Sequence, residues 1–202
     1  SSEHSRVGGV LRMEAHYEDR MVPCFTERVG NLYQLALSAA ENSPNVDALI
    51  CDDCRWSWTD LLDDADKMSG GLVELGVSEG DRVALYLSNC PEFVILLLAL
   101  SRIGAIAVPI GIREKKAGLT CILEQCGAKG LFFDQDFSAE VPRDTGHLKF
   151  ACSVGCVSTA DFIRDHSANP APVAAVSEED TALIMYTSGT TGRPKGAMVT
   201  NL

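Results

Sequence analysis

The sequence predicts an α/β fold with a mostly parallel sheet flanked by helices. Two observations support this class. Between residues 83 and 133, short and almost continuously apolar runs alternate with longer segments of helical periodicity. Strands that are apolar on both sides are typical of parallel sheets covered on both faces. Regular alternation of strands and helices favours the same arrangement.

The first predicted elements are two helices separated by a short hairpin. The first helix begins after Asn31, a suitable N-cap, and stops at Pro44. The second helix is capped by Thr59 and ended by Gly76. Two strands joined by a turn lie between them, at 48–51 and 55–58.

The alternating region supplies the central sheet. The predicted strands are 83–87, 105–109 and 130–133, the predicted helices are 91–103 and 115–126, and a further strand and short helix are expected within 148–166. Part of this region, from Phe93 to Ile112, is apolar enough to suggest a membrane span. Arg102 in its middle would cost roughly 2.5–3.5 kcal/mol on insertion, and Pro109 would break a continuous helix. We therefore predict a buried helix followed by a buried strand, and no transmembrane segment.

Composition shifts divide the chain into four regions. Residues 1–29 are polar and aperiodic and are predicted to be a flexible segment, and residues 30–166 form the α/β subdomain. Residues 167–177 are rich in small residues and proline and are predicted to be a linker. Residues 178–202 begin the next subdomain and carry a terminal β-hairpin.

The charge and cysteine content limit the partners and the compartment. A net charge of −11 argues against a nucleic-acid partner, because that affinity comes largely from Lys and Arg. Among the eight cysteines, Cys51 and Cys54 have the spacing of a metal or redox pair, but no second pair with such spacing follows. We prefer a structural role for the cysteines over a metal site and predict no metal ligands. Free thiols fit a reducing cytoplasm.

The chemistry of the chain is concentrated between Thr187 and Gly196. Glycines allow close approach of a ligand to the backbone, successive N–H groups form an anion-binding concavity, and hydroxyls and Lys195 add donors. The segment departs from the common P-loop, because Lys195 is followed by Gly196 and the flanking segments predict strands instead of a helix. A surface turn is the structural alternative for such a composition.

The ordered string YTSGTTGRPKGAMVT, from Tyr186 to Thr200, is more specific than its composition. It resembles the phosphate-loop motif of the adenylate-forming (AMP-binding) superfamily, which includes acyl-CoA synthetases, luciferases and peptide-synthetase adenylation domains. Upstream blocks at 55–61, 80–93 and 104–109 are similar to the early core of those enzymes, so the resemblance covers roughly residues 30 to 202. Two positions depart from the family's pattern. After Ile110 the family often continues with an Asn-Pro pair, whereas this chain has Gly111-Ile112-Arg113. Many members have a histidine shortly after the loop, where this chain has Asn201.

The resemblance implies a reaction and its cofactors. A carboxylic acid attacks the α-phosphorus of ATP to give an acyl-adenylate and pyrophosphate, and a thiol, usually of coenzyme A, then displaces AMP. The loop would hold the β- and γ-phosphates with Mg²⁺ offsetting their charge. The residues assigned to this binding are Thr187, Ser188, Gly189, Thr190, Thr191, Gly192, Lys195 and Gly196. No catalytic residue is assigned, because the family's catalytic lysine follows this region.

The same resemblance predicts that the chain is the N-terminal part of an acyl-CoA synthetase-like large domain and is inactive alone. Two alternatives stay open: an adenylation domain of a nonribosomal peptide synthetase, and a non-catalytic module that binds phosphate or a protein. The sequence does not name the acid, the thiol acceptor or the native length. Apolar surface meant for further parts of the family's fold would be exposed, which predicts self-association into homo-oligomers.

Overall fold

The structure, a computed structural model, describes residues 11–18, 20–25, 30–144, 146–188 and 193–202. In chain order the strands are β1 (Leu11–His16), β2 (Arg20–Phe25), β3 (Asp47–Cys51), β4 (Cys54–Ser57), β5 (Arg82–Tyr86), β6 (Ile106–Pro109), β7 (Gly130–Asp134), β8 (Phe150–Val154), β9 (Thr181–Ser188) and β10 (Pro194–Thr200). The helices are α1 (Leu32–Asn42), α2 (Trp58–Glu74), α3 (Pro91–Arg102), α4 (Lys116–Cys126) and α5 (Thr159–His166), and a 3₁₀-helix spans Gln135–Glu140.

A six-stranded sheet in the order β10-β9-β6-β5-β7-β8 forms the centre of the described chain. The five strands from β9 to β8 are parallel, and β10 is antiparallel to β9 at one edge. The predicted α/β class with a mostly parallel sheet is therefore confirmed. The β9–β10 hairpin joins the sheet through the pair Ala107↔Leu183, so the sheet continues across the predicted linker. The division into 30–166, 167–177 and 178–202 stays a prediction.

Both faces of the sheet are covered, as nearly continuous apolar strands predict. Val83 and Leu85 of β5 pack in a core with helices α1, α2, α3 and α5. Ala84 and Tyr86 point the other way, into a smaller core with α4. This alternation is the period of two expected of a strand. Each apolar run thus contributes to two cores, which is why polar residues are confined to the strand ends.

Helix ends agree with the sequence except at α2. Asn31 caps α1 by accepting from the Gln34 amide. The prediction of Thr59 as the cap of α2 was wrong: Ser57 is the N-cap, and its Oγ accepts from the Asp60 amide at 3.1 Å. Both hydroxyl residues suit an N-cap, and an acidic residue at the third helical position favours the earlier start.

The apolar segment around residue 102 forms α3 and β6, as predicted. Arg102 closes α3, pairs with Asp66 of α2 at 3.0 Å and donates to the Ala171 carbonyl at 2.8 Å. Its guanidinium also lies 5.2 Å from the centre of the Tyr33 ring. This arginine therefore joins α1, α2, α3 and the chain after α5. No helix in the described part of the chain has the length and apolar character that a membrane crossing requires.

Residues 167–177 run as an ordered strap across α2. The Ala168 amide donates to the Lys67 carbonyl at 3.1 Å, and the Ala171 amide donates to Ser69 Oγ at 3.1 Å. A Cβ at Gly71 would lie 2.8 Å from the carbonyl carbon of His166, and closer still to its oxygen. Gly70 and Gly71, in the last turn of α2, therefore lie where the end of α5 and the start of the strap pass directly over the helix.

The N-terminal segment contains an antiparallel hairpin of β1 and β2, with Leu11 opposite Phe25 and His16 opposite Arg20. The sequence predicts a flexible segment without regular elements there. The missed signal is a period of two in β1, where Leu11, Met13 and Ala15 alternate with polar residues.

Candidate functional site

The phosphate-loop segment joins two paired strands. Pro194 lies opposite Ser188 and Lys195 opposite Thr187, so five residues, 189–193, connect β9 to β10. The predicted strand–loop–strand arrangement is thus present, and no helix follows the loop directly. Four of the predicted ligands, Gly189, Thr190, Thr191 and Gly192, lie outside the described residues, as do the side chains of Thr187 and Ser188.

The described cations of the segment are on the surface. Arg193 and Lys195 are exposed, whereas Pro194 between them is buried. The antiparallel register places Lys195 beside Thr187, at the point where the loop begins. An ammonium group on a flexible side chain can extend from this position towards the loop, and the auxiliary role of Lys195 stays a prediction.

Gly196 has a packing role that the sequence analysis did not anticipate. A Cβ at this position would lie 3.1 Å from Cζ of Tyr186 and 3.3 Å from Cγ2 of Ile184. The Tyr186 ring lies over the glycine on the neighbouring strand, and both partners belong to the smaller core beneath α4. Burial raises the pKa of Tyr186, with Cys126 and Cys121 adding to the effect. The glycine therefore lets an aromatic ring hold the hairpin close to the loop.

The loop is at the carboxyl edge of the parallel strands. β9 runs parallel to β6, which runs parallel to β5, so Ser188, Pro109 and Tyr86 end at the same edge of the sheet. In open α/β sheets, ligands bind outside the carboxyl ends of the strands. Ser188, where β9 ends, is therefore at the edge where such sheets bind ligands, and the assignment of the loop as the site stays a prediction.

The same edge carries a polar cluster that the sequence analysis missed. Ser88, just after β5, donates to Asp134 at the end of β7, with 2.6 Å between the oxygens. Glu92 in the first turn of α3 is 4% exposed and accepts from Thr159 at 2.8 Å. Burial raises the pKa of the neighbouring Cys90 to about 11. Polar residues directly after apolar strands were the available signal, but their partners are distant in sequence.

An apolar groove with a cavity volume of about 290 Å³ lies at the other end of the hairpin. It is lined by side chains from α1, α3, β6, β9 and β10, among them Leu35, Leu97, Leu100, Leu183 and Val199. The groove faces the larger core, on the side of the sheet opposite Tyr186.

The sequence matches a family model described as AMP-binding enzyme, over residues 37–202. The chain belongs to the AMP-binding enzyme family. The match includes the central sheet and the phosphate loop, and it excludes the β1–β2 hairpin.

Relatives within the AMP-binding family agree with this assignment. The crotonobetaine/carnitine–CoA ligase of Escherichia coli O6:K15:H31 (strain 536) is 34% identical over 171 residues, which cover 76% of this chain and 33% of that ligase. A fatty acyl CoA synthetase of Mycobacterium tuberculosis superposes with a TM-score of 0.75 at 28% identity, over 85% of this chain and 34% of the other. The anthranilate CoA ligase AuaEII, solved in complex with anthranoyl-AMP, superposes with a TM-score of 0.76 at 27% identity. The superposition covers 85% of this chain and 34% of that ligase. The chain spans about a third of the length of the curated relatives it matches.

Proposed function

We propose that this chain supplies the phosphate-binding part of an ATP-dependent acyl-CoA synthetase. The enzyme would convert a small-molecule carboxylic acid and ATP to an acyl-adenylate and pyrophosphate, and would then transfer the acyl group to coenzyme A. The observation that carries the proposal is the placement of the string from Thr187 to Gly196 on a hairpin at the carboxyl edge of the sheet. The relatives named as CoA ligases support this reaction over that of a peptide-synthetase adenylation domain.

Within this proposal the loop binds the β- and γ-phosphates of ATP. Backbone N–H groups of residues 189–192 and the hydroxyls of Thr187, Ser188, Thr190 and Thr191 would donate to phosphate oxygens. Such donors stabilise the charge that develops on pyrophosphate as it leaves. Lys195 would add a positive charge at the mouth of the loop. Gly196 would contribute by keeping Tyr186 packed against the strand below.

Mg²⁺ would enter with ATP. The segment 187–196 contains no Asp or Glu, so its own donors to a hard cation are hydroxyl and carbonyl oxygens. Mg²⁺ at nucleotide sites keeps several waters and is bound largely through the phosphates, which this donor set allows. The chain's residues are thus suited to hold the phosphates and to leave the charge of the metal to the substrate complex.

The test replaces Thr190 and Thr191 with Val in an enzyme that contains this chain and the two thirds of the relatives' length outside the match. Loss of one preorganised donor costs roughly 10²–10³ in rate, so pyrophosphate exchange should fall by at least that factor. The matched control is Thr181→Val at the opposite end of β9, which should change the rate little. Equal rates for the loop variants and the control would refute the role of the loop.

The acceptor and the assembly state belong to the same proposal. Transfer to coenzyme A, with no transfer to a carrier protein, would separate the synthetase from the peptide-synthetase alternative. For the 202 residues alone we expect no adenylate formation and weak or no binding of Mg·ATP in calorimetry. Tight binding of Mg·ATP would favour a free-standing binding module.

Met198 on the edge strand β10 is 74% exposed, so we propose that the chain self-associates, which light scattering would measure. The cysteines, all free, support a cytoplasmic setting.

A further inference from the structure

The β1–β2 hairpin turns its polar face towards the protein and its apolar face towards solvent. Met13 and Met21 are 56% and 55% exposed, whereas Cys24 is 5% exposed and the His16 side chain 11%. Burial normally favours the opposite orientation. A two-stranded hairpin is also marginally stable by itself. The contacts of His16 and of the Tyr17 amide with Glu179 show that the hairpin meets the rest of the described chain on this side.

Strand geometry gathers metal-binding side chains on that polar face. Glu14 and His16 are two residues apart on β1 and point to the same side. Cys24 pairs with Arg12 across the hairpin, which places the cysteine on the same side as Arg12 and Glu14. The ligand atoms of Glu14, His16 and Cys24 all lie within 4.8 Å of one another. Oxygen, nitrogen and sulfur donors thus converge on one point.

This donor set has the chemistry of a zinc site. Zinc binds Cys, His and carboxylate at about 2.0–2.3 Å in tetrahedral geometry, so its ligands lie roughly 3.3–3.8 Å apart. His16 Nε2 and Glu14 Oε2 are already 3.2 Å apart, and the 4.8 Å limit on the whole set requires side-chain adjustments of about 1 Å. Three protein ligands would leave the fourth position to water.

Glu179 supplies an orienting carboxylate behind the histidine. Its Oε1 lies 2.9 Å from His16 Nδ1 and also accepts the Tyr17 amide at 2.9 Å. When Nδ1–H donates to Glu179, Nε2 presents a lone pair to Glu14 Oε2, which is also an acceptor. A cation bound between His16 Nε2 and Glu14 Oε2 would remove the repulsion between these two acceptors. A carboxylate on the far nitrogen of a metal-binding histidine is the common arrangement in zinc sites.

We propose that Glu14, His16 and Cys24 bind one Zn²⁺, with Glu179 orienting His16. Glu179 lies in the turn before β9, and the Tyr17 hydroxyl contacts Thr200 Oγ1 at 2.6 Å. The ion therefore joins β1 to β2 and fixes the His16 ring, whose contact with Glu179 connects the N-terminal hairpin to the base of the β9–β10 hairpin.

The test is a zinc titration of the untagged, metal-stripped chain by calorimetry, with Co²⁺ substitution as an optical probe. We expect one equivalent to bind and the cobalt form to show a thiolate charge-transfer band. His16→Gln and Cys24→Ser should each weaken binding by at least about 100-fold, and Glu179→Gln by about 10–100-fold. The cobalt thiolate band should disappear in Cys24→Ser and persist in Glu179→Gln.

The matched control is a cysteine pair in a different hairpin, β3–β4. Cys51 and Cys54 face each other across β3 and β4, and replacing both with Ser should leave the affinity unchanged. Circular dichroism of each variant establishes that the central sheet is intact. The proposal is overturned if zinc does not bind at one equivalent, if binding follows Cys51 and Cys54, or if Glu179→Gln and His16→Gln bind as tightly as the parent chain. In the last two cases a proton on His16 would account for its two carboxylate contacts.

Discussion

The substitution Gly71→Ala should destabilise the protein, although alanine is the better helix former. Gly71 lies in the last turn of α2, beneath the point where α5 passes into the strap of residues 167–177. A Cβ at this position would lie 2.8 Å from the His166 carbonyl carbon and 3.4 Å from the Ser167 Cα. Both atoms are backbone, so no side-chain rotation can relieve the contact. The His166 carbonyl oxygen would lie closer still, so the backbone at 166–167 must move away from α2 by about 2 Å to restore ordinary van der Waals separation.

The magnitude follows from what this movement breaks. The strap is held to α2 by the Ala168 amide on the Lys67 carbonyl and by the Ala171 amide on Ser69 Oγ. Losing these two hydrogen bonds costs about 2 kcal/mol, and overpacking adds about 1–3 kcal/mol. The gain in helix propensity returns about 1 kcal/mol. We therefore expect the free energy of unfolding to fall by about 2–4 kcal/mol, which corresponds to a Tm lower by roughly 5–15 °C for a chain of this size.

Urea and thermal unfolding, followed by circular dichroism and tryptophan fluorescence, measure this difference. Gly118→Ala is the matched control, because Gly118 is also a helical glycine and its Cβ would meet only the end of the Glu114 side chain. That control should stabilise the protein by up to about 1 kcal/mol. If Gly71→Ala were as stable as Gly118→Ala, the close passage of the strap over α2 would be wrong.

Two further predictions concern buried polar groups. Arg102→Met should lower the free energy of unfolding by about 3 kcal/mol, because it leaves the part-buried carboxylate of Asp66 with the Tyr33 hydroxyl but without its cationic partner at 3.0 Å. Arg164→Met, at an exposed ion pair, should change urea unfolding little. Cys90, whose pKa is raised to about 11, should be alkylated more slowly than exposed Cys54 at neutral pH, as measured by peptide mass spectrometry. Because the pKa of Cys90 in the folded protein is raised above the ordinary thiol value of 9.0, the stability it contributes is present below pH 9 and is lost towards pH 11. Equal alkylation rates at neutral pH would contradict this assignment.

Local signals were sufficient for the central sheet and most helix ends. Three such signals each depend on only a few neighbouring residues: the apolar run of β5, Pro91 at the start of α3, and Gly76 after α2. The structure has the expected strand and helix ends at all three places. Gly76 has a φ of 92°, and the amide of Val77 reaches back to the carbonyl of Leu72. Such a helix end is defined by neighbouring residues, which explains why it is visible in the sequence.

Features that depend on distant partners were not predictable in this way. The contact of Ser88 with Asp134 needs the strand order, in which β7 returns to the side of β5 opposite β6. The strap over α2 depends on the path of a chain segment some hundred residues later, and two adjacent glycines in a helix do not by themselves reveal what passes over them. The β1–β2 hairpin was missed for another reason: its period is clear, but its buried face is the polar one.

The geometry of the β9–β10 hairpin explains why its base matters for a loop at its tip. β10 runs from Pro194 beside the loop to Thr200 at the base, a distance of roughly 20 Å at about 3.4 Å per residue. β9 has one registered pair with β6, Ala107↔Leu183, near the base of the hairpin. A tilt of about 5° at the base would move the loop by about 2 Å over that length. Misplacement of reacting groups by 1 Å can cost about 100-fold in rate. The contacts of Tyr17 with Thr200 and of His16 with Glu179 act on the base of this lever, and Tyr186 over Gly196 acts near its tip. The β1–β2 hairpin, which lies outside the family match, therefore contacts the base of the β9–β10 hairpin, and a shift of those contacts would change the position of the phosphate loop.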